Sequence, residues 1–292
     1  MIFALTKALL FVGLTLFLGA WVFELFVQRG PLSEPGRQLQ LGRWLGTGLL
    51  LVVTLIDGAL TLRFLRTSLP ASQVWGYVNT TPFVPMLALR LSVVPALLLL
   101  PRALPPRVYA GLVTTLGVLL LETFSWLGHA GATGRFSAVT IDVLHLASAV
   151  AWAGSVLYAA LLPWWSDSAA HARSRSLMER VSVIGLLSVI VMSASGASAA
   201  FEHFDSSAML MNTRYGRVFL FKMLLVSNIL MIAAMNRWFI LPRLRLQPIP
   251  QLAHILRLEA ALLICVLLTT GLLSTSSLSN DPLPGPQQHI YH

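Results

Sequence analysis

The chain has 292 residues, of which 56% are hydrophobic and only 11% charged, against roughly a quarter charged in an average soluble domain. Its net charge of +9 comes almost wholly from arginine, with Lys7 and Lys222 the two lysines. With long apolar runs beside it, that excess fits basic loops at an anionic lipid surface and argues against a nucleic-acid partner; the single cysteine, Cys265, leaves no internal disulfide and no Cys-x-x-Cys motif.

Eight apolar segments follow in chain order, at about 3–27, 44–65, 82–101, 108–129, 139–163, 181–200, 217–240 and 256–278. Each is close to the ~20 residues that cross a bilayer. The expected fold is therefore all-α, a polytopic transmembrane bundle of about eight helices. The first segment is too long for the apolar core of a signal peptide and reads as a span. The third carries Pro82, Pro85 and Pro95, with Arg90 near its middle, and is expected to be kinked. Residues 1–280 read as one membrane domain, and 281–292 as a turn-rich tail.

Alternate connections differ in basic content. One side collects Arg29, Arg37, Arg43, Arg102, Arg107, Arg173, Arg175, Arg180, Arg237, Arg243, Arg245 and Arg257. The other holds Lys7, Arg63, Arg66, Arg135, Arg214 and Arg217. Twelve against six places the first set in the cytoplasm, so both termini are expected outside, in a periplasm if the source has one.

Ionisable groups within membrane spans are costly and mark pairing or function. On this topology Asp57, Glu122, Asp142 and Lys222 fall in the outer half, Arg90 at mid-depth, and Glu24 and Glu259 near the inner ends. A lone guanidinium at mid-depth is expected to pair with an acid. His129 ends the fourth segment, with Trp126 and Glu122 three and seven residues before it on the same face. His145 opens the fifth, three residues after Asp142 and seven before Trp152. The short link between these segments brings two imidazoles and two carboxylates to one outer region. Imidazole suits copper, zinc, iron and nickel, and thioether sulfur favours Cu(I). His203, Met209 and Met211 in the next outer loop, and His289 and His292 in the tail, extend the same donor chemistry. Each histidine taken alone is more simply an interfacial hydrogen-bonding group, and the helix-borne methionines are packing residues. No P-loop, G-x-S-x-G, H-E-x-x-H or C-x-x-C-H occurs, and Ser195, in Ser-Ala-Ser-Gly-Ala-Ser, reads as close helix packing.

From about residue 120 to 278 the order of motifs resembles the copper resistance protein D (CopD) family of bacterial inner-membrane proteins. The residues concerned are Gly128-His129-Ala130, His145-Leu-Ala-Ser-Ala-Val-Ala-Trp152-Ala-Gly154, Thr213-Arg-Tyr215-Gly216, Lys222, Asn236-Arg237, Pro242 and Glu259. The resemblance implies eight transmembrane helices and movement of copper from periplasm to cytoplasm, beside a small periplasmic copper-binding partner of the CopC type. It places His129, His145, Trp152, Lys222 and Glu259 on matching positions. The leading expectation is thus a non-enzymatic copper transporter. His129 and His145 are its first ligands, Glu122 and Asp142 orient the rings or ligate transiently, and Met209 and Met211 receive the ion. A cytoplasmic copper acceptor and self-association are compatible with it, and lipid is the constant partner. The alternative is a b-type cytochrome or quinone-linked electron carrier, with His129 and His145 as axial haem ligands.

Overall fold

A computed structural model describes residues 1–28, 36–162, 168–203, 214–244 and 252–275. Among these residues the chain is helical throughout, as expected. The elements are α1 (Ile2–Val22, continued by a π-helical turn, Phe23–Val27), α2 (Arg37–Ser68), α3 (Ala71–Thr80), α4 (Phe83–Leu98), α5 (Pro106–Trp126), α6 (His129–Ala132) and α7 (Phe136–Ala160). They continue with α8 (Ser168–His203), α9 (Arg214–Met235, followed by a second π-helical turn, Asn236–Ile240), α10 (Leu241–Leu244) and α11 (Leu252–Leu273). Seven helices are long and apolar enough to cross a membrane, or eight if the bent α3–α4 pair forms one span. This is a multi-pass membrane protein.

The third span differs from its expected form. It is a short helix, α4, reached from α3 through a 55° bend at Thr81–Pro82. Pro82 and Pro85 fall at the start of α4, where a missing N–H costs no helical hydrogen bond, and only Pro95 lies inside it. At 16 residues α4 is about 24 Å long, short of the ~30 Å apolar core unless α3 contributes. α2 and α8, at 32 and 36 residues, run longer than their expected spans.

Two helices organise the bundle. α1 packs against α2, α7 and α11, and α7 also meets α5 and α8. One apolar core gathers Leu14, Phe17, Leu50, Val94, Leu97 and Leu120 from α1, α2, α4 and α5. The other gathers Phe23, Val156, Met178, Ile229, Leu256 and Leu263 around the far end of α1 and α7, α8, α9 and α11. Without a hydrophobic force between helices in lipid, close approach depends on small residues. A Cβ on Gly19 would stand 2.7 Å from the Cα of Gly154, so α1 and α7 touch backbone to backbone. A Cβ on Gly271 would meet the backbone and Cβ of Ala8, which seats α11 on α1. Beside the first crossing, the Tyr158 hydroxyl donates to the Leu16 carbonyl at 2.5 Å.

Polar side chains tie the first helices together. Lys7 of α1 donates to Asp57 of α2 at 2.8 Å, and Thr6 donates to the same carboxylate at 3.2 Å. Further along, Glu24 in the π-turn pairs with Arg43, whose guanidinium stacks 3.6 Å over the Trp21 ring. Arg43, expected in a loop, is instead inside α2 and 2% exposed. Arg90 departs from expectation in its partner. Its Nε and Nη2 donate to the hydroxyl and carbonyl of Thr123, each at 3.0 Å, and its guanidinium lies 3.9 Å over Phe124. Asp57 acts on it electrostatically, but the contacts that fix it are neutral. Arg90→Met is therefore expected to loosen α4 from α5 and lower thermal stability in detergent. Asp57→Asn breaks the Lys7 pair instead, so its loss should add to that of Arg90→Met in the double variant, and a double variant no less stable than Arg90→Met alone would show that Asp57 acts through Arg90.

Candidate functional site

α7 presents Asp142, His145 and Trp152 at spacings of three and seven, which place them on one face. His145 Nδ1 lies 3.0 Å from the Ser195 hydroxyl of α8. Ser195 spends its own proton on the carbonyls of Val191 at 2.8 Å and Met192 at 3.2 Å. When that proton is on a carbonyl, the oxygen accepts from Nδ1–H of a neutral His145, and Met192 offers the ring a backbone partner as well. The Nδ1–H form is the tautomer a metal-binding imidazole needs, with a hydroxyl in the role a carboxylate or carbonyl often fills. Gly196 permits this approach, since a Cβ there would stand 3.3 Å from the imidazole Cε1.

Asp142 is half-buried beside Ser125 of α5, and His129 and Lys222 both act on it electrostatically. Lys222, on α9, also acts on His145. An ammonium thus sits in the electrostatic neighbourhood of the carboxylate and imidazole expected to receive a cation. It balances the carboxylate while no ion is bound.

The other candidates separate. His129 lies on the four-residue α6 and is exposed; it joins Asp142 but not His145. Glu122 is half-buried on α5 and is not among the groups acting on Asp142. Arg90 and Asp57 belong to the α1–α2–α4–α5 side described above. His203 closes α8, and its side chain lies outside the described residues, as do Met209, Met211, His289 and His292. Among the described residues no three His, Cys, Asp or Glu side chains gather closely enough to hold a metal ion. The expected four-group convergence is thus reduced to a His129–Asp142 neighbourhood and a His145–Ser195 contact, linked through Lys222.

A second polar group lies farther along α7. Glu259 of α11 is 3% exposed and accepts from Asn236 Nδ2 at 2.9 Å. The Trp152 indole N–H is a further donor to the same carboxylate. Next to Asn236, Arg237 donates to Ser182 of α8 at 2.8 Å. Ser195 and Asn236 are the residues that pattern reading undervalued. A serine in a small-residue stretch gives no hint of a histidine partner, and an asparagine late in an apolar run shows only that a buried amide needs one.

With this geometry in view, residues 175–273 match the family model described as copper resistance protein D. Over those residues the chain is similar to that family. The matched segment includes Ser195, Lys222, Asn236 and Glu259, while His129, Asp142, His145 and Trp152 precede it. The chain is also 28% identical over 309 aligned positions to Copper transport protein CutJ of Bacillus subtilis (strain 168), an alignment covering 97% of this chain and 54% of that protein. The chain thus spans about half the length of this curated relative. No solved structure matches it. The matched segment supplies α9, α11 and most of α8, so the two polar groups along α7 form where that segment packs against the helix before it.

Proposed function

We propose that the protein moves copper across a bacterial inner membrane, taking the ion from the periplasmic side towards the cytoplasm. The observation that carries this reading is the meeting of the segment similar to copper resistance protein D with the polar face of α7, where the Ser195 hydroxyl lies 3.0 Å from His145 Nδ1. The name of the Bacillus subtilis relative supports copper as the cargo. The excess of arginine on one set of connections supports both termini outside, which puts His129, Asp142 and His145 on the entry side.

His145 is the first ligand. Asp142 supplies negative charge beside it, and His129, exposed on α6, is the group an arriving ion meets first. As copper enters, Lys222 gives up the balancing position and its charge then pushes the ion onward. Met209, Met211 and His203 receive copper from a periplasmic carrier of the CopC type. A cytoplasmic acceptor removes it at the other end. Residues 1–280 act as one membrane unit in this account. No catalytic step is assigned, and neither the family match nor the relative's name favours haem ligation by His129 and His145.

Metal analysis of the purified full chain tests this reading. Copper is expected to bind, and His145→Ala to remove the imidazole-bound part of it. Lys222→Met should tighten binding by roughly tenfold or more, because a like charge acting on both Asp142 and His145 opposes a cation held there. Unchanged copper content in His145→Ala, or weaker binding in Lys222→Met, would contradict the assignment.

A further inference from the structure

We propose that Glu259 and Asn236 form a second, oxygen-donor station for a divalent cation, two helical turns along α7 from His145. The proposal rests on the copper reading above and extends it to a site of different chemistry. Seven residues separate His145 from Trp152, about 10.5 Å of helix, and Trp152 is the residue that reaches Glu259.

The first argument is charge. Glu24 and Asp57, the other fully buried carboxylates, each hold a fixed cation, Arg43 and Lys7 respectively. Glu259 is as deeply buried, yet no lysine or arginine forms an ion pair with it among the described residues. Its neighbours are an amide and an indole. Arg237 is engaged with Ser182, and Arg257 on α11 is exposed. A carboxyl in such a place either holds a proton or takes a partner of opposite charge, and a mobile cation that displaces the proton supplies one.

The second argument is the amide. Asn236 is 6% exposed, and its Oδ1 is buried with no hydrogen-bond partner while Nδ2 serves Glu259. A half-turn of the amide exchanges a donor for an acceptor at the same place. In the empty state Asn236 closes on the carboxylate through N–H. With the amide turned, Oδ1 and a Glu259 oxygen face a cation together, and Trp152 still restrains the carboxylate. Asn236 also opens the five-residue π-turn of α9, an irregularity that often accompanies functional positions and gives a side chain a different outlook from a regular turn. Carboxylate and amide oxygens suit Cu(II) better than Cu(I). The station therefore differs in preference from the imidazole site.

The test uses the full chain in lipid nanodiscs and in liposomes, with Cu(II) salt as the probe. In His145→Ala, electron paramagnetic resonance is expected to retain a Cu(II) signal with oxygen coordination, and adding Glu259→Gln should remove it. In liposomes Glu259→Gln should lower the rate of Cu(II) entry by roughly tenfold or more, the scale seen when a metal site loses a conserved partner, while copper at His145 stays bound. Asn236→Asp provides an independent check, because a second carboxylate should hold Cu(II) longer and slow its exit. Wild-type entry rates in Glu259→Gln, or an unchanged oxygen signal in the double variant, would overturn the station and leave the His145 site standing. If wild-type protein neither binds nor moves copper, the copper reading itself fails.

Discussion

Glu24→Gln is expected to destabilise the protein by roughly 3–5 kcal/mol, the scale on which breaking a buried ion pair leaves one charge uncompensated. Arg43 is 2% exposed and stacked on Trp21, and the Glu24 carboxylate neutralises it. Its Nε and Nη1 have no hydrogen-bond partner among the described residues, so Glu24 is its one charged contact there. The double variant Glu24→Gln with Arg43→Met should recover most of the loss, since replacing a whole buried pair by apolar groups is often neutral or better. Thermal unfolding of the purified chain in one detergent checks this. Equal losses in the single and double variants would mean that the pair is not the stabilising unit.

Gly154→Val is expected to prevent α1 and α7 from closing and to abolish the folded bundle. A Cβ at Gly154 runs into the backbone of Gly19, not into a side chain that could swing away. Overpacking a core commonly costs about 1–3 kcal/mol, and more when only backbone can yield. Because α7 carries both polar groups, the same substitution should remove copper binding together with stability. Gly48→Val is the control: nothing lies within 4 Å of a Cβ there, on a helix of the same bundle. A monodisperse Gly154→Val protein melting near wild type would show that the Gly19–Gly154 contact is not required.

Much of the architecture was legible because a bilayer imposes a length on each apolar run. Segments such as 139–163 and 217–240 answer to α7 and α9 with small shifts at their ends. The third span was not, because prolines report a break without saying whether the chain bends within one span or joins two short helices. Arg43 was misplaced for a related reason. A basic residue flanking an apolar run looks like a loop residue until the partner that buries it, Glu24, is seen across the helix pair.

The candidate site divides along the same line. His145, Trp152, Lys222 and Glu259 stood out because polar groups within spans are rare, and each has a polar or charged neighbour in the fold. Which of them meet depends on helix neighbours that periodicity does not encode. Spacing put Glu122 on the face of His129, but α5 ends at Trp126, and from the separate α6 His129 acts on Asp142 of α7. Arg90 shows the limit from the other direction. Its burial implied a carboxylate partner, and a hydroxyl, a carbonyl and an aromatic face hold it instead.

The most direct test of copper movement along the α7 face is uptake into sealed liposomes containing only the full chain and an internal copper-responsive dye. Copper added outside should enter faster than into protein-free liposomes. His145→Ala should reduce entry to the protein-free rate while keeping the wild-type melting temperature and helix content. Entry at the wild-type rate in a folded His145→Ala protein, or no protein-dependent entry at all, would contradict the account.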